Sequence, residues 1–88
     1  MTQIDIQNRV RDFVVNELLQ GQDRGLDEST PLLDWGIIDS LSLMTLVSYL
    51  EDQFSVRVPD EDIGPDNFGT LKAVGAMVVR LKDAARQA

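Results

Sequence analysis

Cysteine and histidine are both missing from this 88-residue chain. Without cysteine there is no disulfide framework, no thiolate nucleophile and no Cys-type zinc site. Without histidine the side chain best suited to proton transfer near neutral pH is gone. No apolar run approaches the length of a membrane span, and no signal-peptide pattern precedes Ile4, so a soluble, cytoplasmic protein without a membrane partner is expected. A chain of this size buries only about 60–65% of the surface its unfolded form exposes. One small domain over residues 1–88 is expected, its core too small to enclose a deep substrate pocket.

Positive charge is scarce where negative charge collects. The net charge is −7, and residues 34–66 hold eight acids against Arg57 alone. Residues 67–88 reverse the sign, with Lys72, Arg80, Lys82 and Arg86 against Asp83. The acidic middle would repel nucleic acid and attract basic protein surfaces. The basic end is read as complementing the C-terminus of its own helix.

Hydrophobic periodicity predicts helices. Over residues 4–19, Ile6, Val10, Phe13, Val14 and Leu18 recur on one face, and Gly21 follows as a C-terminal cap. Over 40–54, Leu43, Leu46, Val47, Leu50 and Phe54 form a second stripe. Pro59-Asp60-Glu61-Asp62-Ile63 suits one short helix over 60–63, with acids at its start, stopped by Gly64-Pro65. Thr70 caps a last helix over 71–85, with Leu71, Val74, Val78, Leu81 and Ala85 facing inward. Gly75 costs that helix about 0.5–1 kcal/mol relative to alanine, which suggests close helix approach or, more speculatively, room for a bound chain. Three long helices and one short one predict an all-α four-helix bundle.

The connections carry less signal. Residues 20–39 form a long loop that must be pinned, and Thr30-Pro31-Leu32-Leu33 is the expected pin, as a single capped turn. Trp35 is expected to pack that loop; contact with a partner is the alternative. Val56-Arg57-Val58 is too short an alternation for a strand. Asp60, Asp62 and Asp66 do not make a calcium loop, because its glycine would be one position early and its twelfth position is Leu71. No metal site is expected.

The stretch with chemistry in it is Gly36-Ile37-Ile38-Asp39-Ser40-Leu41. Asp39 is a good N-cap, which puts Ser40 at the first helical position with its hydroxyl facing solvent. An anion attached there would be tolerated by the helix dipole, to about 0.3–1 kcal/mol, which permits a modification without requiring it. Capping alone is the plainer reading of the same two residues.

These residues resemble the Gly-x-x-Asp-Ser-Leu motif of acyl and peptidyl carrier proteins, and size, acidity and helix order match over nearly the whole chain. The resemblance implies a free-standing carrier, not an enzyme, serving a natural-product pathway such as nonribosomal peptide assembly. Its cofactor would be 4′-phosphopantetheine on Ser40, with Asp39 beside it, and its thiol would hold an acyl or aminoacyl group as a thioester. The implied partners are a phosphopantetheinyl transferase, an adenylating or acyl-loading enzyme, and a downstream tailoring or condensing enzyme, met by a monomer. Leu41, Met44 and Ser48, flanked by Glu51 and Asp52, resemble the family's partner-recognition face. Ser42 and Thr45 stand where family members often carry acids, which favours apolar over charge-driven contact.

Thr30-Pro31-Leu32-Leu33-x-Trp35-Gly36-Ile37 resembles discrete peptidyl carriers that hold prolyl groups for oxidation to pyrrolyl thioesters. D-alanyl and alkoxymalonyl carriers are the near alternatives. Outside the family, a serine hydrolase lacks its base, since the chain has no histidine. A helical interaction module without the arm is the other possibility.

Overall fold

The structure, a computed structural model, describes residues 2–87, with side chains described through Ala85; Arg86, the last of the basic residues singled out above, lies outside the described side chains. Helix α1, Gln3–Phe13, opens with a reciprocal cap. The Asp5 N–H donates to Thr2 Oγ1 at 3.2 Å and the Thr2 N–H donates to Asp5 Oδ2 at 3.3 Å. Over Val14–Leu18 the helix widens into a π turn, and the Leu19 N–H donates five residues back to the Val14 carbonyl. The extra residue per turn rotates the apolar stripe. Val15 and Leu19 are buried, while Phe13 and Leu18 are left half-buried. Gln20 and Gly21 then turn the chain with φ of 55° and 85°, and the Gly21 N–H reaches back to Val15 at 2.7 Å.

The long connection over 20–39 is pinned twice. Asp23 forms an ion pair with Arg11 and accepts from the Leu26 N–H, while Arg11 Nε donates to the Leu26 carbonyl, and Leu26 drops into the core. Leu32 is the second pin: it is fully buried and its N–H donates to the Gly69 carbonyl at 2.8 Å. Thr30 caps in the opposite direction to the one its sequence suggests. Its Oγ1 accepts from the Asp27 N–H at 2.9 Å, closing the turn before it.

Helix α2, Ser40–Phe54, buries Leu46, Val47, Leu50 and Phe54 and ends at Ser55 in a left-handed conformation, φ 54°. Tyr49 ties it to α1: its ring stacks on Phe13 with centroids 4.1 Å apart, and its hydroxyl donates to the Arg9 carbonyl. Val56 and Val58 point inward and Arg57 outward, without a strand among the described residues.

The short helix expected over 60–63 is corrected. Asp60–Asp62 make a single 3-10 turn, and helix α3 is Pro65–Phe68, so Pro65 starts a helix where it was expected to stop one. The reason is that proline lacks only an N–H that the first helical turn leaves unpaired in any case. Phe68, at the end of α3, is fully buried.

Helix α4, Leu71–Gln87, is capped by Thr70, whose Oγ1 accepts from the Ala73 N–H. Leu71, Val74, Met77 and Val78 are buried and Leu81 is half-buried. Ala85, expected to face inward, is exposed, because α4 runs past its neighbours there and the residue only borders an open groove with Ile6, Phe54 and Val79. The basic residues of α4 serve other elements. Lys82 Nζ donates to the Phe54 carbonyl, capping the C-terminus of α2, and Arg80 donates to Asn67. Gly75 lies against α1, where Gln3 and Gln7 fill the space beside it, which leaves no room for a bound chain at that position. The described residues thus form an all-helical bundle of three long helices and one short one.

Candidate attachment site

Ser40 begins α2 and is exposed. Its position is set by Asp39, whose carboxylate accepts from the Ser42 N–H at 2.8 Å, while the Leu43 N–H donates to the Asp39 carbonyl at 2.8 Å. The bond from the Ser42 N–H, foremost among several, holds the Asp39 carboxyl below the ordinary carboxylate range. Before it, Ile37 and Ile38 are buried, so the loop enters the core just ahead of the cap and delivers Ser40 back to the surface.

This geometry limits what Ser40 can do unaided. Its one adjacent carboxylate is committed to the helix cap and its depressed pKa makes it a poor proton acceptor. No histidine exists in the chain to replace it. The hydroxyl is accessible without an internal base, and it sits at the positive end of α2, where a phosphate diester is favoured. The residues present therefore fit phosphopantetheine attached from outside by another enzyme.

The predicted recognition residues separate into two sets. Leu41 is 80% exposed and Met44 52%, and Ser48 and Asp52 are exposed. Glu51 is half-buried and its carboxylate accepts from the Val58 N–H at 2.9 Å, so it fastens the connector after α2 and is not held out as Asp52 is. Met44, Val47, Val56, Val58 and Ile63 border an open groove of about 630 Å³ along α2, beginning one helical turn from Ser40. Trp35, expected to pack the loop, is 66% exposed. The core positions of its segment are taken by Leu32, Ile37 and Ile38, which leaves the indole outside.

An exposed serine on a fixed helix end, with no base of its own, defines a scaffold that is modified and read by other proteins. The family model described as "Phosphopantetheine attachment site" matches residues 8–78, and the chain belongs to that family of carrier proteins. It is 32% identical over 77 residues to the "Probable acyl carrier protein PigG" of Serratia sp. (strain ATCC 39006), covering 88% of each chain. Among solved structures it resembles one described as "Structure of KstB-PCP(apo)", with a TM-score of 0.74, 28% identity, and 92% of this chain and 90% of that one covered. A chain in a structure described as "Crystal structure of FAD-dependent dehydrogenase" matches with a TM-score of 0.73 and 38% identity, covering 78% of this chain and 97% of the other. The protein is thus a phosphopantetheine-attachment carrier of the acyl and peptidyl carrier type, a family that is generally non-catalytic and works with phosphopantetheinyl transferases and biosynthetic enzymes. Among the described residues no helix is long and apolar enough to cross a membrane.

Proposed function

We propose that Ser40 is the attachment residue and that the chain is a free-standing, non-catalytic carrier presenting a prolyl group for oxidation to a pyrrolyl group. The observation carrying the first half is an exposed serine at the start of α2, capped by Asp39, inside the Gly-x-x-Asp-Ser-Leu motif. The arm would supply a thiol for a thioester; the chain supplies a fixed point of attachment and a surface for partners. Leu41, Met44, Ser48 and Asp52 are the exposed residues of that surface on α2. Holding the substrate on a carrier raises its local concentration at each partner enzyme.

Two observations support the prolyl cargo. The segment from Thr30 to Ile37 resembles discrete prolyl carriers. The chain matched at 38% identity belongs to a structure described as an FAD-dependent dehydrogenase, and 97% of that chain is covered. Conversion of a prolyl to a pyrrolyl thioester removes four hydrogens in two two-electron steps, each reducing a flavin that dioxygen reoxidises. The carrier takes no part in the electron transfer and works in the cytoplasm as a monomer.

The experiment is intact-mass analysis after treatment with a phosphopantetheinyl transferase and coenzyme A. Wild type gains one phosphopantetheine mass and Ser40→Ala gains none while keeping its helicity. Incubation of the modified protein with prolyl-, D-alanyl- or alkoxymalonyl-loading enzymes then identifies the cargo. Addition of a flavin dehydrogenase removes four hydrogens only from a prolyl form. Modification of Ser40→Ala would overturn the site, and loading with another group would overturn the cargo.

A further inference from the structure

Four large hydrophobic side chains are more than half exposed among the described residues, and three of them, Trp35, Leu41 and Met44, lie within five positions of Ser40 in sequence. Ile4 is the fourth. Scattered exposed apolar residues need no explanation, but gathering at one site does.

The backbone carrying Trp35 is held from both sides. Upstream, Leu32 is fully buried and its N–H donates to the Gly69 carbonyl. Downstream, Ile37 and Ile38 are buried, and the Ile38 N–H donates back to the Leu32 carbonyl at 3.1 Å. Between these points the Trp35 N–H donates to the Pro31 carbonyl at 3.1 Å, and Gly36 turns the chain at φ 71°. The loop therefore goes in, out and in again, with the indole at its outer point. An aromatic side chain on a backbone already ordered loses little freedom when it docks. Tryptophan is also among the residues that most often dominate interface energies.

Charge gives the chemistry of what would cover it. Asp34 and Asp39, on either side of Trp35 in the loop, are exposed, as is Asp52 on α2, and Arg57 is the one basic residue between positions 34 and 66. An apolar pocket bordered by lysine or arginine is the complement. The arm is common to every member of the family, so an enzyme that must choose one carrier before any cargo is present has to read protein residues beside the serine. That requirement falls on the enzyme that acylates the arm more than on the transferase.

We propose that Trp35 is a docking anchor that inserts into an apolar, cation-bordered pocket on the acyl-loading enzyme and, with Leu41 and Met44, selects that enzyme. The inference rests on the carrier reading but not on the identity of the cargo.

The test uses full-length protein carrying the arm and whichever of the prolyl- and D-alanyl-adenylating enzymes charges wild type fastest. The identity of that enzyme bears on the cargo alone. Trp35→Ala is expected to lower kcat/KM for loading about thirty-fold, mostly through KM, as for a hot-spot residue. Trp35→Phe should restore most of the rate, and attachment of the arm by the transferase should change little in either variant. Because Trp35 is the only tryptophan, 5-fluorotryptophan labelling gives one fluorine resonance, which should shift on adding the loading enzyme and return when unlabelled carrier competes. Loading of Trp35→Ala at the wild-type rate would overturn the proposal. So would a resonance unmoved at saturating enzyme, or parallel losses in loading, arm attachment and melting temperature, which would mark a structural role.

Discussion

Gly75 on α4 faces Gln7 on α1 so closely that a Cβ at Gly75 would stand 2.7 Å from Gln7 Cγ. Gln7 is buried and engaged at both ends of its amide, accepting from Gln3 and donating to Glu28, so it cannot simply swing away. Gly75→Ala should therefore destabilise the fold. Overpacking costs about 1–3 kcal/mol, against about 1 kcal/mol gained from helix propensity. A net loss of about 1 kcal/mol should lower the melting temperature by about 4–8 °C for a domain of this size. Gln7→Ala in the same chain should recover part of that loss. A rise in melting temperature for the single variant, followed by circular dichroism, would show that Gln7 yields.

Leu50 is fully buried on α2. Leu50→Ala should cost about 2–5 kcal/mol, a large share of the stability of a domain this small. A denaturant melt measures it, and a loss below about half a kilocalorie would contradict the burial.

Asp39 gives the attachment helix a pH dependence. Its folded pKa lies below the ordinary 3.8, chiefly through the Ser42 N–H, so its stabilising bond is fully present above the unfolded value. It is lost as pH falls through the lower, folded value. Asp39→Asn should flatten that part of the acid limb of a stability–pH profile while leaving the rest unchanged. Equal acid limbs for the two proteins would remove the cap from the account.

Recognition on α2 should divide by residue. Met44→Asp should impair acyl loading at any salt without unfolding the chain, because a charge replaces an exposed apolar contact. Asp52→Lys should mainly slow association, and its defect should shrink as added salt screens the wild-type attraction. Glu51→Ala should instead lower stability by about 1 kcal/mol, since it removes the acceptor of the Val58 N–H. Loading kinetics at two ionic strengths, with melting curves for each variant, separate the three. A Glu51→Ala protein that melts like wild type but loads slowly would return that residue to the docking face.

The parts legible in the sequence were those set locally. Asp39 capping α2, Thr70 capping α4 and Gly21 turning the chain after α1 each depend on a few neighbouring residues. What was hidden depends on distant contacts or on near-degenerate local choices. The π turn over Val14–Leu18 leaves the apolar spacing intact in sequence while rotating it in space. Pro65 reads equally well as an end or a beginning of a helix, and only the burial of Phe68 decides it. Lys82 looks like a charge for its own helix, yet its partner is the Phe54 carbonyl, 28 positions away. Trp35 was misjudged because hydrophobicity ranks side chains for burial without counting the places available, and Leu32, Ile37 and Ile38 occupy them.

The exposure of Trp35 also affects how this molecule can be watched. An indole already 66% open in the folded chain has a nearly aqueous surrounding before any denaturant is added. Its intrinsic fluorescence will change little when the bundle comes apart, and a flat emission trace during heating would say nothing about whether the helices survive. The same property makes it a quiet background for complexes: with no second tryptophan to dilute the signal, a blue shift of the carrier's emission, measured against a tryptophan-free partner, reports burial of that one side chain.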